Sequence, residues 1–455
     1  MIIKQFFDSD IAHSSYLLGD RNNCVVIDPR RDIDIYIKEA KENNLKISHI
    51  FLTHLHADFV SGHLDLNDKT GAQIYGPEKA EFAFGHNSLK EGDKIDVESL
   101  SFRVIETPGH SPEMINYIAY DNSVNNSTPF GVFTGDTIFI QDVGRPDIFE
   151  ERFDELSEKL FNSIQEKIVK LPDYCRLFPA HGPGSFCGKA IGSTKTGTIG
   201  YERINNKFLT IKGIEEFKEE IKRNMPPAPD HYRRLSDVNR KGPALLKNLE
   251  TLMPLNTAGL KKAIENRNKI IIDSRGYDSF AAQHIAKSYN IKLIGSFSSY
   301  AGWVLPPDAE IIIITESSGD AYHAFNVLRR MGFDENIYYF QDGVQAWVRS
   351  GNPVSSFNLI HPSKVDKFIE KEKDIQIADV RNSFEYKKDK IKGSINIPVH
   401  ELRDRYNELD SNKKTLVYCA SGLRGSLASS ILLMHGFKDI YNLAGGYAGY
   451  SQTKE

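Results

Sequence analysis

From Ile2 to about Ile140 the chain alternates short apolar stretches with turn residues: KQFF, SYLLGD, CVVIDP, ISHIFLTH, AQIYGP, SFRVIETPG and GVFTGDTIFI. Runs this short, rich in Val, Ile, Tyr and Phe and bounded by Gly, Pro, Asp or Asn, predict buried β-strands. Apolar residues three and four apart at Ile33–Asn43 and at Phe153–Leu171 predict amphipathic helices between and after those strands. The first part of the chain is therefore mixed α/β. At Asn224–Asp230 the segment NMPPAPD carries three prolines, which remove backbone donors and disfavour helix, so a boundary or tether is expected there. The weakly patterned stretch from there to about Leu255 reads as linker with some helix.

The remaining residues contain a repeat. IIIDSR at 270–275 answers QIADVR at 376–381, IIIITESSG answers TLVYCASG, RRMGF answers LMHGF, and FQDGVQAW answers LAGGYAGY. The offset is about 103 residues where Glu316 meets Cys419. Each copy reads strand, helix, strand, tight loop, helix, strand, the pattern of a small parallel-sheet α/β domain.

At 455 residues the chain is long enough for about three domains. The 57 Lys+Arg against 61 Asp+Glu give a formal net charge of −4, with no basic excess for nucleic acid. No apolar run approaches the roughly 18 residues that cross a bilayer. The start, MIIKQFFDSDIAHSS, has acids where a signal peptide carries its apolar core, so a cytoplasmic protein without a membrane partner is expected. Four scattered cysteines, Cys24, Cys175, Cys187 and Cys419, do not make a disulfide framework and are read as thiols.

Chemistry concentrates in loops that follow strands. ISHIFL runs into Thr53-His54-Leu55-His56-Ala57-Asp58-Phe59, where two imidazoles at i and i+2 and a carboxylate can converge on one ion. Three more fragments share that character: Thr107-Pro108-Gly109-His110, Thr134-Gly135-Asp136-Thr137 and Pro179-Ala180-His181-Gly182. In this order and at these separations they resemble the metallo-β-lactamase superfamily over roughly residues 1–240. The resemblance implies an αββα sandwich with metal held at one edge. Where the usual binuclear motif ends in histidine this chain has Phe59, which cannot coordinate. Similarity to the persulfide dioxygenase branch implies a mononuclear Fe(II) site, one ion per chain, at His54, His110 and Asp136. A facial set of two histidines and one carboxylate leaves positions for substrate and O2. His56, Asp58 and His181 are then supporting residues or remnants of a second metal site. Arg145, in a Gly-Arg-x-Asp segment of the same branch, either binds a carboxylate of a thiol persulfide or braces its loop through Asp147. His63 reads as structural. Cys187, just after His181, is either a sulfur relay in the same cleft or a small buried apolar residue.

In the last copy Cys419-Ala-Ser-Gly-Leu-Arg424 links the strand TLVY to the helical SLASSILLMHG. Backbone N–H groups of such a loop, the helix dipole and Arg424 favour a thiolate and hold anions. With Asp379-Val-Arg381, Asn396-Ile-Pro398 and LAGGY, residues 360–455 are similar to a rhodanese domain. Residues 255–355 resemble the same domain with Glu316 for the cysteine and Ala321 for Arg424, and are read as inactive, with Asp273 and Arg275 kept for the fold. Both copies are expected as three-layer α/β/α domains.

Together the resemblances imply a persulfide dioxygenase joined to a sulfurtransferase, acting in sulfide detoxification. Its partners would be a low-molecular-weight thiol persulfide, O2, and sulfite or thiosulfate, with a homo-oligomer left open. Two other classes compete. One is a dizinc thioester hydrolase like glyoxalase II, using a metal-bound hydroxide; the other is a non-enzymatic persulfide sensor acting through Cys419.

Overall fold

The structure is a computed structural model describing residues 1–455 except 224, 226, 227, 230, 266–268, 373 and 455. The prolines expected to form a tether fall partly outside the described residues, since positions 226 and 227 are among those excepted. The chain divides into two compact units, Met1–Leu249 with Arg329–Gly332, and Glu250–Leu328 with Phe333–Glu455. Among the described residues no helix is long and apolar enough to cross a membrane.

The first unit is a sandwich of two six-stranded sheets. One runs in order β1 (Ile2–Asp8), β2 (His13–Asp20), β3 (Asn23–Ile27), β4 (Lys46–Phe51), β5 (Gln73–Pro77), β6 (Asn87–Leu89). The other contains β7 (Lys94–Val97), β8 (Leu100–Glu106), β9 (Ile115–Asp121) and β10 (Asn125–Gly135) as an antiparallel meander. A two-stranded ribbon follows, β11 (Ile138–Phe139) and β12 (Asp142–Val143), and then β13 (Arg176–Pro179) joins β10 in parallel, with β14 (Gly197–Thr198) at the edge.

Side-chain alternation explains the layers. Tyr16, Leu18, Val25, Ile27 and Phe51 of one sheet meet Phe102, Val104, Tyr117, Phe133 and Phe178 of the other in the central core. Their neighbours Leu17, Val26 and Ile50 point the opposite way, against Tyr36, Ala40 and Leu66 of helices Asp34–Glu42 and His63–Thr70. On the far side Ile118, Val132 and Leu177 pack with Leu160, Ile164, Phe217 and Ile221 of helices Phe153–Glu166 and Ile214–Lys222. Strands covered on both faces are apolar at successive positions, which is why they read as continuous runs. The result is the expected αββα order. The predicted helix at Phe153–Leu171 ends at Glu166 and continues as a single 3₁₀ turn, Ile168–Lys170.

The stretch read as linker is more ordered than expected. Helix Tyr232–Lys241 belongs to the first unit: the Asn239 side chain donates to the backbone carbonyls of His56 and Phe59, both at 2.8 Å, and accepts the Ser61 N–H at 2.9 Å. Its polar periodicity hides this, because the helix is held by hydrogen bonds to loop backbone as much as by apolar burial.

In the second unit each repeat is a five-stranded parallel sheet. The first contains β15 (Met253–Leu255), β16 (Lys269–Asp273), β17 (Ser288–Asn290), β18 (Glu310–Ile314) and β19 (Ile337–Phe340), in spatial order β15-β19-β18-β16-β17. The second contains β20 (Asn358–Ile360), β21 (Gln376–Asp379), β22 (Ile395–Asn396), β23 (Thr415–Tyr418) and β24 (Ile440–Leu443), in the same spatial order β20-β24-β23-β21-β22. Ile312 and Ile314 face the cluster of Leu260, Val344 and Trp347, and Ile311 and Ile313 are equally buried on the other face.

Candidate functional sites

Four strand ends deliver the histidines and carboxylates of the first unit to one edge: β4 leads into His54 to Asp58, β8 into His110, β10 into Asp136 and β13 into His181. The turn carrying His110 is pressed against helix Phe153–Glu166. A Cβ on Gly109 would lie 2.4 Å from the Leu160 Cα, so glycine is required there. His54, His110 and Asp136 converge, each buried, with one donor atom apiece and all three within 4.8 Å of one another. The His110 and His54 Nε2 atoms lie 3.4 and 3.8 Å from Asp136 Oδ2.

The surroundings orient these donors. The Thr53 hydroxyl donates to Asp28 Oδ2 at 2.8 Å and therefore accepts the His54 Nδ1 proton at 2.9 Å, which turns the Nε2 lone pair inward. His181 spans Asp136 Oδ1 at 2.7 Å and Asp58 Oδ2 at 2.8 Å. Burial, then His56, holds His54 well below the usual imidazole range, and burial lowers His110 despite Asp136. Burial alone would lower His181, but the Asp136 and Asp58 carboxylates outweigh it and hold it well above its ordinary value. Asp136 is held well below the carboxylate range by His181 and His110, against burial. Two neutral imidazoles and one carboxylate thus face inward, and His54 Nε2 and Asp136 Oδ2 have no hydrogen-bond partner. A buried polar atom left without a partner costs stability, so this donor set fits a metal ion.

Other residues of the motif are arranged differently. The Phe59 ring packs on His13 and His56, with centroids 4.2 and 4.5 Å away, where the family motif has a ligand. His56 Nε2 lies 3.3 Å from Asp28 Oδ1 and outside the convergent set. Asp58, His181 and Cys187 make a second buried group with donor atoms within 4.8 Å of one another. Burial, then Asp58, pushes the Cys187 thiol up to about 12, so near neutral pH it is a protonated thiol and a poor nucleophile, against a relay role. Of the two roles weighed for Arg145, the geometry is that of the brace. The guanidinium is fully buried, bonds both Asp147 oxygens at 2.7 and 2.8 Å and donates to the Phe186 carbonyl at 3.1 Å. His63 is buried against Phe84, and Cys24 and Cys175 lie in the outer apolar layers.

Sequence reasoning missed His13, Asp28, Glu113 and Asn239. His13 is fully buried between His56, Phe59 and His181. Glu113 accepts the Leu55 N–H at 2.9 Å, tying the His54–His56 loop to the one after His110. Asp28 carries a signal, an acid ending the apolar run CVVI; the other three stand alone in the sequence. A cavity of about 440 Å³ opens beside this loop, lined among others by Leu55, Pro112, Glu113, Arg152 and Arg233.

In the second unit Cys419 directly follows β23, is 1% exposed, and its sulfur accepts the Gly422 N–H at 3.1 Å. Gly422 has φ +97°, a left-handed conformation that aims this N–H back at the sulfur before helix Leu423–Met434 begins. Arg424 is held by Glu385 through two hydrogen bonds of 2.7 and 2.9 Å. Asp379 and Arg381 form a buried bidentate pair with Nε–Oδ1 at 3.0 Å and a second contact at 2.6 Å, and Asp273 and Arg275 repeat it at 2.9 and 2.7 Å.

Residues 9–181 match the family described as the metallo-beta-lactamase superfamily, and residues 256–350 and 361–453 each match the rhodanese-like domain. A solved structure described as a metallo-beta-lactamase from Staphylococcus aureus is 31% identical, with a TM-score of 0.68, over 75% of this chain and 98% of its own. The mitochondrial persulfide dioxygenase ETHE1 of Bos taurus is 29% identical over 233 residues, 50% of this chain and 83% of that protein. The hydroxyacylglutathione hydrolase GloC of Haemophilus influenzae is 27% identical over 220 residues, 44% of this chain and 92% of that protein. Enzymes of both chemistries are thus among the relatives of the first unit.

Proposed function

The chain belongs to the metallo-β-lactamase superfamily and carries two rhodanese-like domains, and from that premise we propose that it is an Fe(II)-dependent persulfide dioxygenase coupled to a sulfurtransferase. We divide it into a dioxygenase domain at 1–240, an inactive rhodanese-like domain at 255–355 and a sulfurtransferase domain at 360–455. The observation that carries the reading is the convergence of His54, His110 and Asp136, with His54 Nε2 and Asp136 Oδ2 unpartnered, beside a phenyl ring where a second-metal ligand would stand.

Fe(II), when bound by these three residues, supplies adjacent open positions and the redox capacity that zinc lacks. Thr53 and Asp28 fix the His54 tautomer, and His181 fixes the Asp136 carboxylate. The cavity beside Leu55 and Glu113 takes the body of the thiol carrier. Overall, R–S–S⁻, O2 and water become R–SH, sulfite and one proton. Cys419 carries sulfane sulfur to or from sulfite, with Arg424 balancing the charge.

The hydrolase relatives and the Asp58, His181 and Cys187 group support a second reading, a dizinc thioesterase. The two separate on one preparation. Anaerobically isolated chain should carry about one iron and consume O2 when given a low-molecular-weight thiol persulfide. Asp136→Ala should lose both the iron and the uptake. Two zinc ions per chain with thioester cleavage and no O2 uptake would overturn the dioxygenase reading.

A further inference from the structure

The repeat without a cysteine reaches the loop that has one. Tyr277, the first residue of helix Tyr277–Ala282, lays its ring against Gly422: a Cβ there would stand 3.4 Å from both Cε1 and Cζ of Tyr277. Its hydroxyl accepts the Gly445 N–H at 3.4 Å, so it bridges the cysteine loop and the glycine turn behind it. An accepting hydroxyl keeps its own proton to donate. That turn backs the loop closely, with the Tyr447 N–H on the Cys419 carbonyl at 2.7 Å. The helix after the loop is fixed to the same repeat, since Ser426 donates to Asn290 Oδ1 at 2.5 Å and the Asn290 N–H reaches Ser430 at 3.3 Å.

Tyr277 is only partly buried at the loop whose Gly422 N–H bonds the Cys419 sulfur, while Cys419 itself is 1% exposed.

We propose that Tyr277 of the cysteine-less repeat stands at the entrance to the Cys419 loop and favours small sulfur oxyanions, sulfite and thiosulfate, donating a hydrogen bond to their oxygens and excluding bulkier thiols. This rests on the reading of Cys419 as the sulfur carrier. In the step concerned the Cys419 thiolate attacks the outer sulfur of thiosulfate, the S–S bond breaks, and sulfite leaves with the electron pair, giving Cys–S–S⁻. In reverse, sulfite attacks the terminal sulfur and the Cys419 thiolate leaves. No oxidant or reductant enters.

Tyr277→Phe in the full chain keeps the ring and removes the donor. It should raise the KM for sulfite as acceptor and for thiosulfate as donor about tenfold each, as expected for one hydrogen bond to a charged group, while the KM for cyanide, which lacks oxygen, stays unchanged at saturating thiosulfate. Tyr277→Ala should admit glutathione as an acceptor severalfold faster than the parent chain. Unchanged KM for both oxyanions in the Phe variant, or the sulfite and cyanide KM values rising together, would overturn the proposal. Cys419→Ser separates the two failures: if it still transfers sulfur, the reading of Cys419 is wrong; if it is inactive and Tyr277→Phe behaves as the parent, only the role of Tyr277 is wrong.

Discussion

The two rhodanese-like repeats share strand order, parallel pairing and a buried Asp–Arg pair, yet differ where chemistry would occur. In the second, β23 ends at Tyr418 and the helix begins only at Leu423, with Gly422 left-handed between them. In the first, β18 ends at Ile314 and the helix begins at Ser318, so Gly319 is absorbed into it. Glu316 stands for the cysteine, Ala321 for Arg424, and Ser279 occupies the helical position of Glu385. A cavity of about 480 Å³, lined by Arg275, Ser279, Thr315, Glu316 and Asp342 among others, remains there. The Asp–Arg pair serves the fold, because it survives where the cysteine does not. If Cys419 carries sulfur as proposed, the two repeats differ in loop shape as well as in the nucleophile.

The severest break of this comparison moves the nucleophile. Cys419→Ser should cut sulfur transfer at least about a thousandfold, as removal of a nucleophile does. Adding Glu316→Cys and Ala321→Arg to that variant should recover none of it, because a helix starting at Ser318 leaves no left-handed residue to aim an N–H at the new thiol. Thiosulfate-to-cyanide transfer reads both. Recovery to even a tenth of the parent rate would mean that residue identity alone decides and loop shape does not.

The same contrast explains what the sequence made legible. Residue identity is local, so HLHAD, TPGH, TGD, PAHG and CASGLR could be read directly, and the doubled strand order followed from the repeat. Loop shape is not local. Nothing in ESSGDA against CASGLR announces that the helix starts earlier in the first. Around the metal centre the unread residues, His13, Glu113 and Asn239, are single polar positions brought in from distant strands, loops and a helix. The Arg145 brace was legible as one of two roles, since its partner Asp147 lies two residues away in the same segment.

A milder change tests loop shape without touching the sulfur. Gly422→Ala places a Cβ in ordinary contact with Tyr277 and Gly445, so its cost is conformational: a left-handed L-residue loses about 1–2 kcal/mol. If that strain turns the N–H from Cys419, transfer should fall about tenfold, by the free-energy equivalent of that cost. Gly319→Ala, in a helical stretch of the first repeat, should leave transfer unchanged. Equal effects of the two substitutions would erase the distinction between the loops.

The smallest effect concerns the Arg424–Glu385 pair, which the first repeat lacks. Burial acts to raise the Glu385 carboxyl, but its hydrogen bonds and charge attraction with Arg424 outweigh it and hold it below the usual range. A depressed carboxyl stabilises the folded state above its unfolded-state value, about pH 4.3, and that contribution disappears as pH falls through the folded-state value. Glu385→Gln should therefore lower the thermal inactivation midpoint of sulfur transfer at pH 7, by the equivalent of about 1 kcal/mol or less because the pair is partly exposed and screened by solvent. The gap between variant and parent should narrow as pH approaches 4. A gap constant with pH would assign the loss to packing and remove charge from the list of differences between the repeats.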